Sequence, residues 1–171
     1  FECFLPFHTC SETALLQIGR TISSSQYQYT NTRVLLVEDN ETNQQIAVEL
    51  LATVGIQVEL AGAGQEALDK LQAVADDYYD LILMDLEMPG MDGHQATLSI
   101  RQNANLNHVP IIAMTAHAMA DVRQRCMDEG MQDFLAKPVQ PNALFTTLAR
   151  WLEFKVSKVS EADKTGELQI Q

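Results

Sequence analysis

Five side chains in this sequence have the types and the spacing to handle a phosphoryl group: Glu38, Asp39, Asp85, Thr115 and Lys137. Asp85 closes the apolar run Leu81-Ile82-Leu83-Met84 and opens the turn Leu86-Glu87-Met88-Pro89-Gly90-Met91-Asp92-Gly93. A carboxylate between a buried strand and a Gly/Pro loop is placed to be a nucleophile or a metal ligand. Glu38 and Asp39 follow a second apolar run, Val34-Leu35-Leu36-Val37, while Thr115 and Lys137-Pro138 end two more. Carboxylates held within a few Å of one another repel unless a cation sits among them. A hard divalent ion with oxygen ligands answers that need, and Mg²⁺ suits one or two carboxylates plus a phosphate; the alternative is a solvated acidic rim.

With Asp85 as the acceptor, the product is an aspartyl phosphate. Phosphoryl transfer asks a protein mainly for in-line positioning and for neutral surroundings at the equatorial oxygens. Mg²⁺ takes one oxygen, the Lys137 ammonium another, and the Thr115 hydroxyl with a backbone N–H the third. Taken singly these residues have plainer readings. Asp85 caps a turn, Thr115 caps the next helix, and Lys137 is a surface lysine. The constellation favours the chemical reading over the plain ones.

The elements that must position these groups alternate along the chain. The run at Val34 suits a strand buried on both faces, as in a parallel sheet. A helix follows, capped by Asn40, with Ile46, Leu50, Leu51 and Val54 inward and Gly55 as its stop. A second strand spans 56–61, and a helix over 65–74 turns Ala67, Leu71 and Val74 inward. The third strand, 81–85, leads to a helix over 95–101, and the fourth strand spans 109–115. The next helix has Met119, Val122, Cys126 and Met127 inward and stops at Gly130. A short strand over 133–136 precedes a last helix with Pro141 near its start and Leu144, Phe145, Leu148 and Leu152 inward. Five strands alternating with five helices predict an α/β fold with a parallel sheet covered on both faces. Such sheets bind ligands outside the carboxyl ends of their strands. Glu38, Asp39, Asp85, Thr115 and Lys137 all fall there.

Composition narrows the class. The chain has 171 residues, a formal net charge of −12 and 46% apolar residues. The charge argues against nucleic acid or an anionic membrane as a direct partner. Three cysteines with no metal-type spacing point to a reducing compartment without a disulfide framework. No apolar run approaches the roughly 18 residues of a membrane span, and no signal peptide is evident. A chain that begins with Phe reads as a piece of something longer.

The segments Val34-Leu35-Leu36-Val37-Glu38-Asp39-Asn40, Leu83-Met84-Asp85-Leu86-Glu87-Met88-Pro89-Gly90-Met91-Asp92-Gly93, Ile112-Ala113-Met114-Thr115-Ala116 and Phe134-Leu135-Ala136-Lys137-Pro138 resemble the signature segments of a response-regulator receiver domain. Their wording is most similar to receivers attached to hybrid sensor histidine kinases. The resemblance implies a flavodoxin-like, doubly wound, three-layer fold with strand order 2-1-3-4-5. It implies that Asp85 takes a phosphoryl group from phosphohistidine, and that Asp39, Asp85 and the backbone carbonyl of Glu87 hold Mg²⁺. Glu38 acts there through a metal-bound water. Thr115 and Phe134 form a switch pair, Lys137 binds the phosphoryl group before a cis bond to Pro138, and Glu87 and His117 flank the site where phosphoryl lifetime is set. Phe134 departs from the Tyr of many relatives, so no switch hydroxyl is present.

The resemblance also implies partners: a histidine kinase domain of the same protein and a histidine-phosphotransfer domain. The expected setting is cytoplasmic, without direct membrane contact in this fragment, and with anchoring of the parent in the inner membrane left open. The fragment is then a self-catalysing phosphoacceptor and the parent a phosphotransferase. Phe1-Glu2-Cys3-Phe4-Leu5-Pro6 resembles the last strand of a kinase ATP-binding domain. The expected division is 1–10 as that domain's end, 11–32 as linker, 33–154 as receiver and 155–171 as a second linker. His8, His94, His108 and His117 read as isolated loop or surface residues. Two rival functions stand beside this one. A degenerate receiver would act as a binding module. An Asp-nucleophile phosphatase would place a second Asp two residues on, where this chain has Glu87.

Overall fold

A computed structural model describes residues 28–117 and 119–152. The expected kinase-derived stretch over 1–10, most of the first linker and the linker over 155–171 lie outside the described residues. The elements run β1 (Arg33–Val37), α1 (Glu41–Ala52), β2 (Gln57–Ala61), α2 (Gly64–Ala73), β3 (Leu81–Asp85), α3 (Gly93–Gln102), a 3-10 turn (Ala104–Leu106), β4 (Ile111–Thr115), α4 (Ala120–Asp128), β5 (Asp133–Ala136) and α5 (Pro141–Trp151). The strands form one parallel sheet in the order β2-β1-β3-β4-β5.

The continuous apolar runs exist because the sheet is covered on both faces. Side chains alternate along a strand, so Leu35, Val37, Ile82 and Met84 pack toward α2, α3 and α4, against Ala67, Leu71, Ala96, Ile100 and Cys126. Their neighbours Val34, Leu36, Leu81 and Leu83 pack on the other side against Ala47 and Leu51 of α1 and Leu144 and Leu148 of α5. All eight strand residues are at most 1% exposed. Each buried aliphatic side chain of this size contributes about 1.5–3 kcal/mol. β2 lies at the sheet edge, and Leu60 is correspondingly 38% exposed.

Three expectations are corrected. Ile46 does not face the core but is 48% exposed, because the Ala47–Leu51 pair, four residues apart, forms the inward stripe of α1. Met119 and Met127 are also exposed. Met119 is the N-cap ahead of α4, and the inward stripe of that helix runs through Val122 and Cys126. The end of the stretch taken as linker is packed: Tyr29 and Thr32 are buried, and the Tyr29 N–H donates to Val54 O at 2.8 Å. Gly55, at φ 79°, is needed there, since a Cβ would sit 2.6 Å from Tyr29 O.

Candidate functional site

Register brings the site together. Val37 pairs with Met84, so Glu38 follows β1 beside Asp85; Asp85 pairs with Met114, and Thr115 comes next. Thr115 pairs with Ala136, and Lys137 follows, its N–H donating to Thr115 O at 2.8 Å. Four strand ends thus deliver the groups to one edge of the sheet.

At the centre, Lys137 Nζ lies 2.7 Å from Asp85 Oδ2 and 2.7 Å from Glu38 Oε2. Asp85 is 1% exposed and Glu38 is 2% exposed, so the lysine bridges two buried carboxylates. Asp85 Oδ1 accepts from the Glu87 N–H at 3.0 Å. Glu38 Oε1 accepts from Asn43 Nδ2 at 2.9 Å and from the Asn40 N–H at 3.3 Å. Asn40 meanwhile caps α1 through the N–H groups of Thr42 and Asn43. One short segment therefore starts the helix and orients the acid ahead of it.

Burial pushes the Asp85 carboxyl above the usual carboxylate range, and the charge of Glu38 adds to this; Lys137 and the Glu87 N–H pull it back only in part. For Lys137, burial alone would lower the pKa. The hydrogen bonds to Asp85 and Glu38 outweigh it, and the ammonium is held above its ordinary value.

Asp39 is exposed, yet it offers a carboxylate oxygen within 4.8 Å of oxygens from Glu38 and Asp85. An all-oxygen, carboxylate-rich set fits a hard divalent cation. The chain makes room for the Asp85 backbone at Gly93, where a Cβ would meet Asp85 O at 2.2 Å. The loop between them turns at Gly90, φ 81°.

The remaining predicted residues sit around this centre. Thr115 is buried, and its Oγ1 accepts from the His117 N–H at 2.9 Å and donates to His117 O at 3.3 Å. His117 Nδ1 meets Glu87 Oε1 at 2.9 Å, with both side chains more than half exposed. Phe134 does not join the acidic cluster. It is half-buried on β5, and the Arg123 guanidinium of α4 stands 4.5 Å from its ring centroid. The Lys137–Pro138 bond is cis, as expected.

Sequence reasoning missed Asn43, which holds Glu38, although an Asn three residues after an Asn cap was visible. It also missed Arg123. His94, read as an isolated surface residue, pairs with Glu129 and joins α3 to the end of α4, with both side chains largely buried. Among the described residues no helix is long and apolar enough to cross a membrane.

The chain is similar to known proteins in sequence and in fold. The chain is 40% identical over 122 residues to the sensor protein GacS of Pseudomonas syringae pv. syringae, which covers 70% of this chain and 13% of that protein. It is 33% identical over 162 residues to hybrid signal transduction histidine kinase K of Dictyostelium discoideum, covering 91% of this chain and 13% of the relative. The chain thus spans about an eighth of the length of these curated relatives. Among solved structures, the receiver domain of a sensor histidine kinase from Pseudomonas aeruginosa PAO1 has a magnesium ion coordinated in its active-site cleft. It superposes with a TM-score of 0.65 at 40% identity, covering 72% of this chain and 99% of that one. The receiver domain of the Saccharomyces cerevisiae response regulator Ssk1, co-crystallised with the histidine phosphotransfer signalling protein Ypd1, gives a TM-score of 0.67 at 30% identity, covering 79% and 97%. The model of the response regulator receiver domain matches residues 34–149. With the sheet order, the convergent acids and the bridging lysine, this match makes the chain a member of the response regulator receiver domain family.

Proposed function

We propose that this chain accepts a phosphoryl group from a phosphohistidine onto Asp85 as one step of a phosphorelay. The observation that carries the reading is the Lys137 ammonium, 2.7 Å from both Asp85 and Glu38 at the carboxyl edge of the sheet. An Asp85 oxygen attacks phosphorus, the P–N bond to the donor imidazole breaks, and its electron pair returns to the ring nitrogen. Lys137 neutralises one equatorial oxygen. Thr115 leaves its contact with His117 and donates its hydroxyl to another. Asp39 and Asp85 would hold Mg²⁺ with the Glu87 backbone carbonyl, Glu38 acting through a bound water. When bound, the ion supplies positive charge to the phosphoryl oxygens. Phe134 then turns into the space Thr115 vacates, which biases the face made by α4, β5 and α5 between two states.

The relatives support a setting, since their names mark them as sensor and hybrid histidine kinases. This chain is then the receiver of such a protein. Its donor is the kinase domain of the same protein, and its next carrier is a histidine-phosphotransfer domain. Incubation with acetyl phosphate and Mg²⁺ tests the acceptor. An acid-labile phosphate on the wild type that is absent from Asp85→Asn is expected. Catalytic turnover of small phosphate esters would favour the phosphatase reading instead. Failure to bind Mg²⁺ or beryllofluoride would favour a degenerate binding module.

A further inference from the structure

We infer that Arg123 is a positioning residue that holds Phe134 in its present, half-exposed place and so sets the resting bias of the switch. The inference rests on the reading of Thr115 and Phe134 as a switch pair. Its own basis is the contact between α4 and β5, where the Arg123 guanidinium carbon stands 4.5 Å from the Phe134 ring centroid. Cations within about 6 Å of a ring face are attracted by its quadrupole.

Phe134 brings no hydroxyl to this position, so its ring cannot be tethered by a side-chain hydrogen bond. One edge of it packs on the core beneath α2, α3 and α4. The rest lines an open groove between α4 and α5, together with Arg123, Asn142, Ala143, Thr146 and Arg150. A ring free to slide between groove and interior takes its equilibrium from small differences in contact. Arg123 supplies one such difference on the groove side.

The strand beneath it is fixed independently. Asp133 accepts from its neighbour's N–H at 2.9 Å, from Trp151 Nε1 at 3.1 Å and from Arg150. The backbone of β5 is thereby pinned to α5, and the freedom at Phe134 is confined to its side chain. Arg125, two residues along α4, is committed to Glu129 at 2.8 Å and lies on another side of the helix. Arg123 is therefore the α4 cation over the ring.

When Phe134 turns inward the guanidinium loses its ring. By linkage, whatever stabilises the resting place weakens any ligand that requires the other. Arg123→Met, which keeps a long apolar stem but removes the charge, is expected to tighten beryllofluoride binding in Mg²⁺ about two- to fivefold, the size of an exposed cation–π contact. Arg123→Lys, which keeps a cation, should fall between Met and wild type. In a Phe134→Leu background, Arg123→Met should change nothing. A ¹⁹F label on Phe134 should report a larger inward population in Arg123→Met before any beryllofluoride is added. Unchanged or weaker binding in Arg123→Met overturns the inference, as does an effect that survives in Phe134→Leu. If the wild type binds no beryllofluoride, or Asp85→Asn binds it equally, the acceptor reading itself fails and the inference falls with it. That outcome is distinct from a wild type that responds normally while Arg123→Met does not differ.

Discussion

The proposed acceptor end of β1 and β3 and the proposed switch end of β4 and β5 are built from the same parallel sheet but held in opposite ways. At the acceptor end, two carboxylates that are at most 2% exposed are bridged by one lysine at 2.7 Å, and each accepts further N–H bonds. At the switch end, Thr115 holds His117 through one bond of 2.9 Å and one of 3.3 Å, and Phe134 leans on an exposed arginine. Strong, buried, charge-assisted contacts fix geometry. Weak, half-solvated ones leave two arrangements close in free energy. The proposed function asks for both, a rigid place to take the phosphoryl group and a soft place to register that it has arrived.

The most severe way to break this contrast is Lys137→Met. It strips the acceptor end of its cation and leaves Asp85 and Glu38 facing each other. Phosphoryl uptake from acetyl phosphate is expected to slow by about 10²–10³, the usual cost of losing one charge-stabilising donor, as read by rate of label incorporation. Uptake within threefold of wild type would show that Lys137 does not serve the reaction.

Next is stability against pH. Asp85 has its folded pKa raised above the ordinary 3.8. Between the two values the folded protein binds more protons than the unfolded chain, so stability falls as pH rises through that window, and the cost is fully present above it. Asp85→Asn removes the charge and should therefore stabilise the protein at pH 7 without Mg²⁺, read as a raised Tm. The gain should shrink as pH falls toward 3.8. Thermal melts across that range check it; a gain independent of pH would place the effect elsewhere.

The smallest effect is expected between the two ends. His117 occupies the Glu87 carboxylate at 2.9 Å in an exposed pair, so His117→Ala should leave stability within about 0.5 kcal/mol. It frees Glu87 to orient water, and the aspartyl phosphate should decay up to about fivefold faster. Glu87→Gln in the same background should restore the lifetime. Decay followed by loss of label separates this from any change in uptake.

The two ends also differed in how far the sequence foretold them. Glu38, Asp39, Asp85, Thr115 and Lys137 were legible because each stands at the end of an apolar run that forms a strand, and parallel strands put those ends together whatever the details of packing. The central strands β1, β3 and β4 were legible for the same reason, since burial on both faces leaves unbroken apolar runs. Helix faces were less so. Adjacent apolar residues such as Ile46 and Ala47 compete for one inward stripe, and spacing alone does not say which wins. Tyr29 was hidden in a polar stretch because its burial depends on Val54 and Gly55, some 25 residues on. The His94–Glu129 and Arg123–Phe134 contacts join different elements, so no local period announces them. The groups at the acid cluster stand at strand ends, where the alternation of elements announces them; the contacts between helix and strand side chains have no such marker.

The central claim is that Asp85 is the phosphoryl acceptor, and site-resolved mass spectrometry after incubation with acetyl phosphate and Mg²⁺ tests it most directly. Borohydride trapping of the acyl phosphate should convert Asp85 alone to homoserine, with no conversion in Asp85→Asn. Trapped product at Asp39 or Glu38 in the wild type, or label uptake undiminished in Asp85→Asn, would contradict the account.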